Sequence, residues 1–393
     1  MKSGKIQRDC NNHNKLLRQV KYVNSYSPDK FLSQSSGNLL ITGGSQADRT
    51  SLLLRAIVGQ RASSNDPVII FSENTALATE LIHMAQQGEI GELYVCSDRH
   101  KNYDFFHNMS INQIADYFAE VAALKGYRDS SDIQDFTGSL LNILSAGAPL
   151  KLASINEFSK NSDTAIANLA GTESVDYDII TASSRGGINF RRLLNNAYNA
   201  FDTITTPSCN TGFNISTAIN NDCVVLINAD SANYEYLSLY FLQELKGVLN
   251  KTFTVIFDDS ILLNNSELSE FINTIKQRSN VNVIVSYENI LALPGSGNND
   301  HFKLQVILLD GNIPSNDLQS ILSAFGEYSH FEQTTASGNS PHFLFSLLRS
   351  ETNNITHFQR PKVLLEEVHG YKAVLNGHNG AEILVIKKFK EVL

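Results

Sequence analysis

Between residues 39 and 96, short apolar runs alternate with helical patterns, and this alternation leaves few architectures open. Leu39, Leu40 and Ile41 form an apolar run that meets the turn Gly43-Gly44. Ser51–Val58 then reads as a helix carrying Leu52, Leu53, Leu54 and Ile57. Pro67–Phe71 is a second buried-strand candidate, Ala76–Gln86 a second helix and Leu93–Cys96 a third strand. Strand, helix and strand in this order make a βαβ unit, which implies a parallel sheet covered by helices. The rhythm returns downstream. Cys223–Asn228, Phe253–Phe257, Val281–Val285 and Leu304–Leu309 read as strands. Tyr234–Leu249, Glu267–Arg278 and Ser315–Phe325 read as helices, with Ser266 as the N-cap of the second. Ala373–Leu375 and Ile383–Ile386 read as a hairpin around Asn376–Gly380.

Between these two stretches the rhythm stops. Ile111, Ile114, Phe118 and Val121 recur at helical spacing, as do Phe136, Leu140, Ile143 and Leu144, and later Phe190, Leu194, Ala197 and Phe201. Only Asp178–Ile180 suggests a strand. The predicted organisation is a polar arm over 1–35, a discontinuous α/β domain over 36–108 and 201–393, and an all-α insertion over 109–200. The fold class is α/β, a mostly parallel sheet with helices on both faces plus that insertion.

A length of 393 residues with 42% hydrophobic residues suffices for a large core. The net charge of -9 excludes a generally basic surface, so a nucleic-acid role needs a local patch or a pore. Arg185, Arg191 and Arg192 form a small basic cluster, for which a solvated helix face is the ordinary explanation. Cys10, Cys96, Cys209 and Cys223 lie far apart and fit reduced cytosolic thiols. No apolar run reaches the ~20 residues that cross a bilayer, and Lys2, Lys5, Arg8 and Asp9 do not open a signal peptide. The expected location is cytoplasmic, with any membrane association supplied by a partner at the inner face.

The octet Gly43-Gly44-Ser45-Gln46-Ala47-Asp48-Arg49-Thr50 stands where GxxxxGK(S/T) would stand, after a strand and before a helix. In that motif backbone N–H groups cradle phosphates, a lysine reaches the β and γ phosphates, and a hydroxyl holds Mg²⁺. Gly43 and Thr50 fit. Asp48 replaces the second glycine and Arg49 the lysine. A carboxylate there repels phosphate, by about 4 kcal/mol for two unit charges at ~4 Å and an effective dielectric near 20. Arg49 keeps the charge on a larger planar fork. Gly43, Gly44, Asp48, Arg49, Thr50 and Ser51 are the nucleotide-binding candidates. The alternative is a plain Gly-Gly turn with Asp48 capping the next helix. A second signal, Thr254-Val255-Ile256-Phe257-Asp258-Asp259, reads as an apolar strand ending in two acids. Asp258, with Thr50, would hold Mg²⁺, and Asp259 would polarise the attacking water, although a buried strand can end in Asp for other reasons. The next strand ends at Ser286-Tyr287-Glu288, placing Glu288 as a sensor of the γ-phosphate, and Arg278 precedes that strand.

In this order the chain resembles the TraG-like coupling proteins of conjugation and type IV secretion, within the FtsK/HerA class of P-loop NTPases. The likeness runs over about residues 36–390. Val68-Ile69-Ile70-Phe71-Ser72-Glu73 sits where that family has a strand ending in Asp-Pro-Lys-Gly-Glu. Asn102-Tyr103-Asp104-Phe105 resembles the segment leading into its all-α domain, and Arg360-Pro361 with Leu364–Ile386 its closing segment. The resemblance implies a RecA-like P-loop fold, ATP with Mg²⁺, a homo-hexamer or an assembly with a coupling-protein homologue, and a DNA or nucleoprotein substrate. It also implies that Arg278 reaches a neighbouring subunit's γ-phosphate, making Asp259, Glu288 and Arg278 the catalytic set. Asp48, Arg49, Ser72, Asp259 and Glu288 depart from the family pattern, and so does the lack of a membrane-spanning N-terminal segment. Three readings stay open: an active DNA-translocating ATPase, a non-catalytic relative acting as adaptor or scaffold, and an α/β protein unrelated to nucleotide. The third requires Gly43–Thr50 and Asp258 to lie far apart.

Overall fold

The computed structural model describes residues 11, 22–23, 38–107, 109–124, 188–205, 213–228, 234–259, 266–275, 278–288, 302, 304–309, 327–337, 351–361, 372–377 and 380–385. The chain packs as two compact units. The larger comprises 28–41 and 46–302, the smaller 1–27, 42–45 and 303–393.

The larger unit holds a sheet ordered β2-β7-β6-β3-β5-β4. Its strands are β2 (Leu39–Gly43), β3 (Val68–Ser72), β4 (Leu93–Cys96), β5 (Val224–Ile227), β6 (Phe253–Asp258) and β7 (Val281–Tyr287). The pairings β3 with β5, β3 with β6, β4 with β5 and β6 with β7 are all parallel. Strands β2, β3, β5 and β6 are buried along their whole length, which is why they read as continuous apolar runs without alternation. Because parallel strands need crossovers, helices follow them: α1 (Gln46–Ser64), α2 (Thr75–Gln86), α3 (Ile111–Leu124), α4 (Ile188–Phe201), α5 (Ile215–Asn220), α6 (Tyr234–Gly247) and α7 (Ser266–Ile275). One register line crosses the sheet near its carboxyl edge, pairing Ser72 with Asp258 and Asp258 with Ser286. That line positions the site.

The core of this unit is aromatic. Phe71 stacks on Phe257 at 5.4 Å and meets Phe241 of α6. Tyr103, Phe105, Phe106, Tyr117, Phe201 and Tyr240 join the same cluster. Such pairs each add about 0.5–1.5 kcal/mol beyond their buried area. Helices α3 and α4 are the two described ends of the predicted all-α insertion, and both pack with α6. The Phe136–Leu144 pattern, the Asp178–Ile180 run and the predicted helix Ser315–Phe325 lie outside the described residues.

The smaller unit contains β1 (Tyr22–Val23), β8 (Leu304–Leu309), β11 (Lys372–Gly377) and β12 (Gly380–Val385). Strand β11 runs antiparallel to both β12 and β8, and β1 lies parallel to β12. The β11–β12 pair is the hairpin expected around Asn376–Gly380. A separate ribbon pairs β9 (Glu327–Ser337) with β10 (Glu351–Pro361), antiparallel in register over both strands. Gly44 belongs to this unit, with φ +68°, and a Cβ there would come within 2.6 Å of the Leu308 Cβ.

Candidate functional site

The turn between β2 and α1 is shorter than a phosphate loop requires. Strand β2 ends at Gly43 and α1 begins at Gln46, so only Gly44 and Ser45 connect them. Gly43 and Gly44 both have positive φ, +73° and +68°, where a residue with a Cβ is strained. The helix expected from Ser51 starts five residues earlier and absorbs Gln46, Ala47, Asp48, Arg49 and Thr50. Asp48 therefore sits in the first helical turn, where a carboxylate suits the positive end of the helix dipole. Ser51 follows on α1, half-buried.

The guanidinium of Arg49 points to the sheet. Its side chain is 3% exposed, and Nη2 lies 2.5 Å from Oδ2 of Asp259, 210 positions later in the chain. The Asp259 side chain is 26% exposed. Its other oxygen, Oδ1, accepts from the Glu288 backbone N–H at 3.0 Å, while its own N–H donates to the Ser286 carbonyl at 2.9 Å. Asp259 has φ +43°, a left-handed conformation that Asp and Asn tolerate better than most residues. Both carboxylate oxygens thus meet donors from α1 and from the end of β7. Glu288 contributes its backbone, and its side chain is exposed.

The remaining candidates bond to one another. Thr50 Oγ1 donates to the Gln46 carbonyl at 2.8 Å and accepts from Asn74 Nδ2 at 2.7 Å. Asn74 caps α2, its Oδ1 accepting from the N–H groups of Ala76 and Leu77. Its own N–H donates to Ser72 Oγ, and Ser72 Oγ donates to Asp258 Oδ2 at 2.8 Å. Asp258 is 1% exposed. Burial holds its carboxyl above the usual carboxylate range, against the hydroxyls of Ser286 and Ser72, which pull it down. The neighbouring Asp259 charge pushes it further up, and Arg49 opposes that.

Within the larger unit the structure therefore brings Arg49, Thr50, Asp258, Asp259 and the Glu288 backbone together, so Arg49 and Thr50 do not lie far from Asp258. Arg278 is elsewhere. It lies just before β7, is exposed, and donates Nη1 to the Leu249 carbonyl past the end of α6 at 3.1 Å. A cation there satisfies a carbonyl just beyond a helix C-terminus. Ser72, expected only as a departure from the family pattern, and Asn74, not expected at all, join this hydrogen-bond network. The signal available for Asn74 was its place just before a helix.

These residues do not fit a magnesium–nucleotide complex in this arrangement. The loop of the motif would wrap phosphate over residues 43–50, whereas here residues 46–50 already belong to α1. Mg²⁺ needs oxygens that are ionised and turned to one point. Asp258 Oδ2 already accepts from Ser72, while the Thr50 hydroxyl is engaged by Gln46 and Asn74. The cation that would meet phosphate already meets a carboxylate.

No family model matches the chain, and no curated protein matches it. Among solved structures, it is similar to the bacterial conjugative coupling protein TrwBdeltaN70, in a trigonal form in complex with sulphate. That match has a TM-score of 0.58 at 12% identity and covers 94% of this chain and 89% of that one. A second similar structure is VirB4 of Thermoanaerobacter pseudethanolicus, with a TM-score of 0.40 at 12% identity over 73% of this chain and 80% of that one. The chain shares the α/β fold of that first structure, a mostly parallel sheet covered by helices. Among the described residues no helix is long and apolar enough to cross a membrane.

Proposed function

We propose that this chain is a diverged coupling-protein-like subunit of a conjugation or type IV secretion system that acts as an adaptor or scaffold and has lost ATP hydrolysis. The observation that carries the proposal is the ion pair between Arg49 and Asp259. It ties the residue in the phosphate-lysine place to the residue in the water-activating place, so neither is available for its inherited task. The Thr50–Asn74–Ser72–Asp258 chain does the same to the magnesium ligands. A non-hydrolysing subunit keeps the fold as an assembly surface. Its partner would be a coupling-protein homologue, or other copies of itself in a hexamer. Its place would be cytoplasmic, recruited to the inner face of the membrane by that partner.

The test is ATP hydrolysis by the purified chain with Mg²⁺, with and without single- and double-stranded DNA, beside an Arg49→Ala variant. The expected result is a rate no higher than that of the variant under every condition. DNA-stimulated turnover that disappears in Arg49→Ala would overturn the proposal in favour of a hexameric DNA-translocating motor, with Asp259, Glu288 and Arg278 in their catalytic places.

A further inference from the structure

We infer that Asp259 is a tethered stand-in for phosphate, an autoinhibitory contact that masks a polyphosphate-binding position on Arg49. The inference rests on the reading of a closed, non-hydrolysing site and adds what closes it. A carboxylate and a phosphate present oxygens that suit the same guanidinium donors. The chain places one such oxygen 2.5 Å from Arg49 Nη2, at a side chain only 3% exposed. The carboxylate is anchored from behind, because Oδ1 takes the Glu288 N–H and the Asp259 N–H is held by the Ser286 carbonyl. Asp259 also has φ +43°, a backbone state that costs a residue with a Cβ some stability. An incoming polyphosphate must displace an intramolecular anion already at the guanidinium, and must do so beside the Asp258 carboxyl. Removing the Asp259 carboxylate takes an anion from direct contact with the Arg49 guanidinium, and a free polyanion offers oxygens of the same kind to that contact.

Two substitutions separate the mask from the backbone. Asp259→Gly suits the positive φ and deletes the carboxylate. Asp259→Asn tolerates the same backbone, keeps an oxygen for the Glu288 N–H and removes the charge. The probe is inorganic tripolyphosphate without Mg²⁺, titrated against each purified protein by calorimetry and by the shift of Tm. The expected result is saturable binding to both variants at least tenfold tighter than to the wild type. Tm should rise with ligand concentration in the variants only. The gain should vanish when Arg49→Ala is added to Asp259→Gly. If both folded variants bind tripolyphosphate no better than the wild type, the mask is refuted while the non-hydrolysing reading stands. If the wild type binds it as tightly as the variants, nothing is masked. If the wild type hydrolyses Mg-ATP, the reading beneath the inference falls with it.

Discussion

Replacing Glu244 by glutamine should make the protein more stable at alkaline pH and leave it unchanged in mild acid. Glu244 lies on α6, 2% exposed. Its Oε2 accepts the Tyr103 hydroxyl at 2.5 Å and its Oε1 the Ser216 N–H at 3.4 Å. Those donors favour the ionised form, yet burial outweighs them and raises the carboxyl from 4.5 to about 7. A folded pKa above the unfolded one means that protonation and folding support each other. The contribution is fully present below the unfolded value, near 4.5, and is lost as pH rises through about 7. At about 1.4 kcal/mol per pH unit, the rise amounts to about 3 kcal/mol of lost stability above pH 8. Glutamine stays neutral throughout. It also keeps the main contact, because its amide oxygen can accept the Tyr103 hydroxyl as the carboxylate does. Urea denaturation of both proteins between about pH 4 and pH 8.5 measures the difference. The two should agree at the acid end, and the variant should gain about 3 kcal/mol at the alkaline end. Parallel stability curves would refute the reasoning, since they would mean that Glu244 titrates alike in the folded and unfolded chain.

Gly44→Ala should destabilise the smaller unit by about 1–3 kcal/mol, because it imposes φ +68° on a residue with a Cβ and drives that atom to 2.6 Å from Leu308; a lowered Tm on calorimetric melting checks it, and an unchanged Tm contradicts it. Asn74→Ala removes the α2 cap and the bond to Thr50 together, so a loss of about 1–2 kcal/mol is expected in denaturation, with Asn74→Asp restoring most of the cap.

The parallel sheet was legible because β3, β5 and β6 are buried on both faces and cannot hide their apolar character. The helices at the two ends of the predicted insertion were legible from Ile114, Phe118 and Val121, and from Leu194, Ala197 and Phe201, all of which pack into the core. The ribbon of β9 and β10 was not legible. Its strands, EYSHFEQTTAS and ETNNITHFQRP, carry few apolar residues, so their pairing leaves little hydrophobic pattern. The early start of α1 was missed for a related reason. Gln46, Ala47 and Asp48 suit a helix as well as a loop, and the glycines drew attention to the turn instead. At the site, spacing identified Arg49, Thr50, Asp258 and Asp259 as neighbours. It could not reveal that Arg49 turns to Asp259, or that Ser72 and Asn74 complete the network, since those contacts depend on strand register across 186 and 210 positions.

The most direct measurement is calorimetric titration of Mg-ATP into the purified wild-type chain, with Arg49→Ala beside it. A site closed by its own side chains should give no saturable heat up to millimolar nucleotide in either protein. Saturable binding by the wild type that disappears in Arg49→Ala would show that the nucleotide displaces Asp259 unaided, and would contradict the closed site.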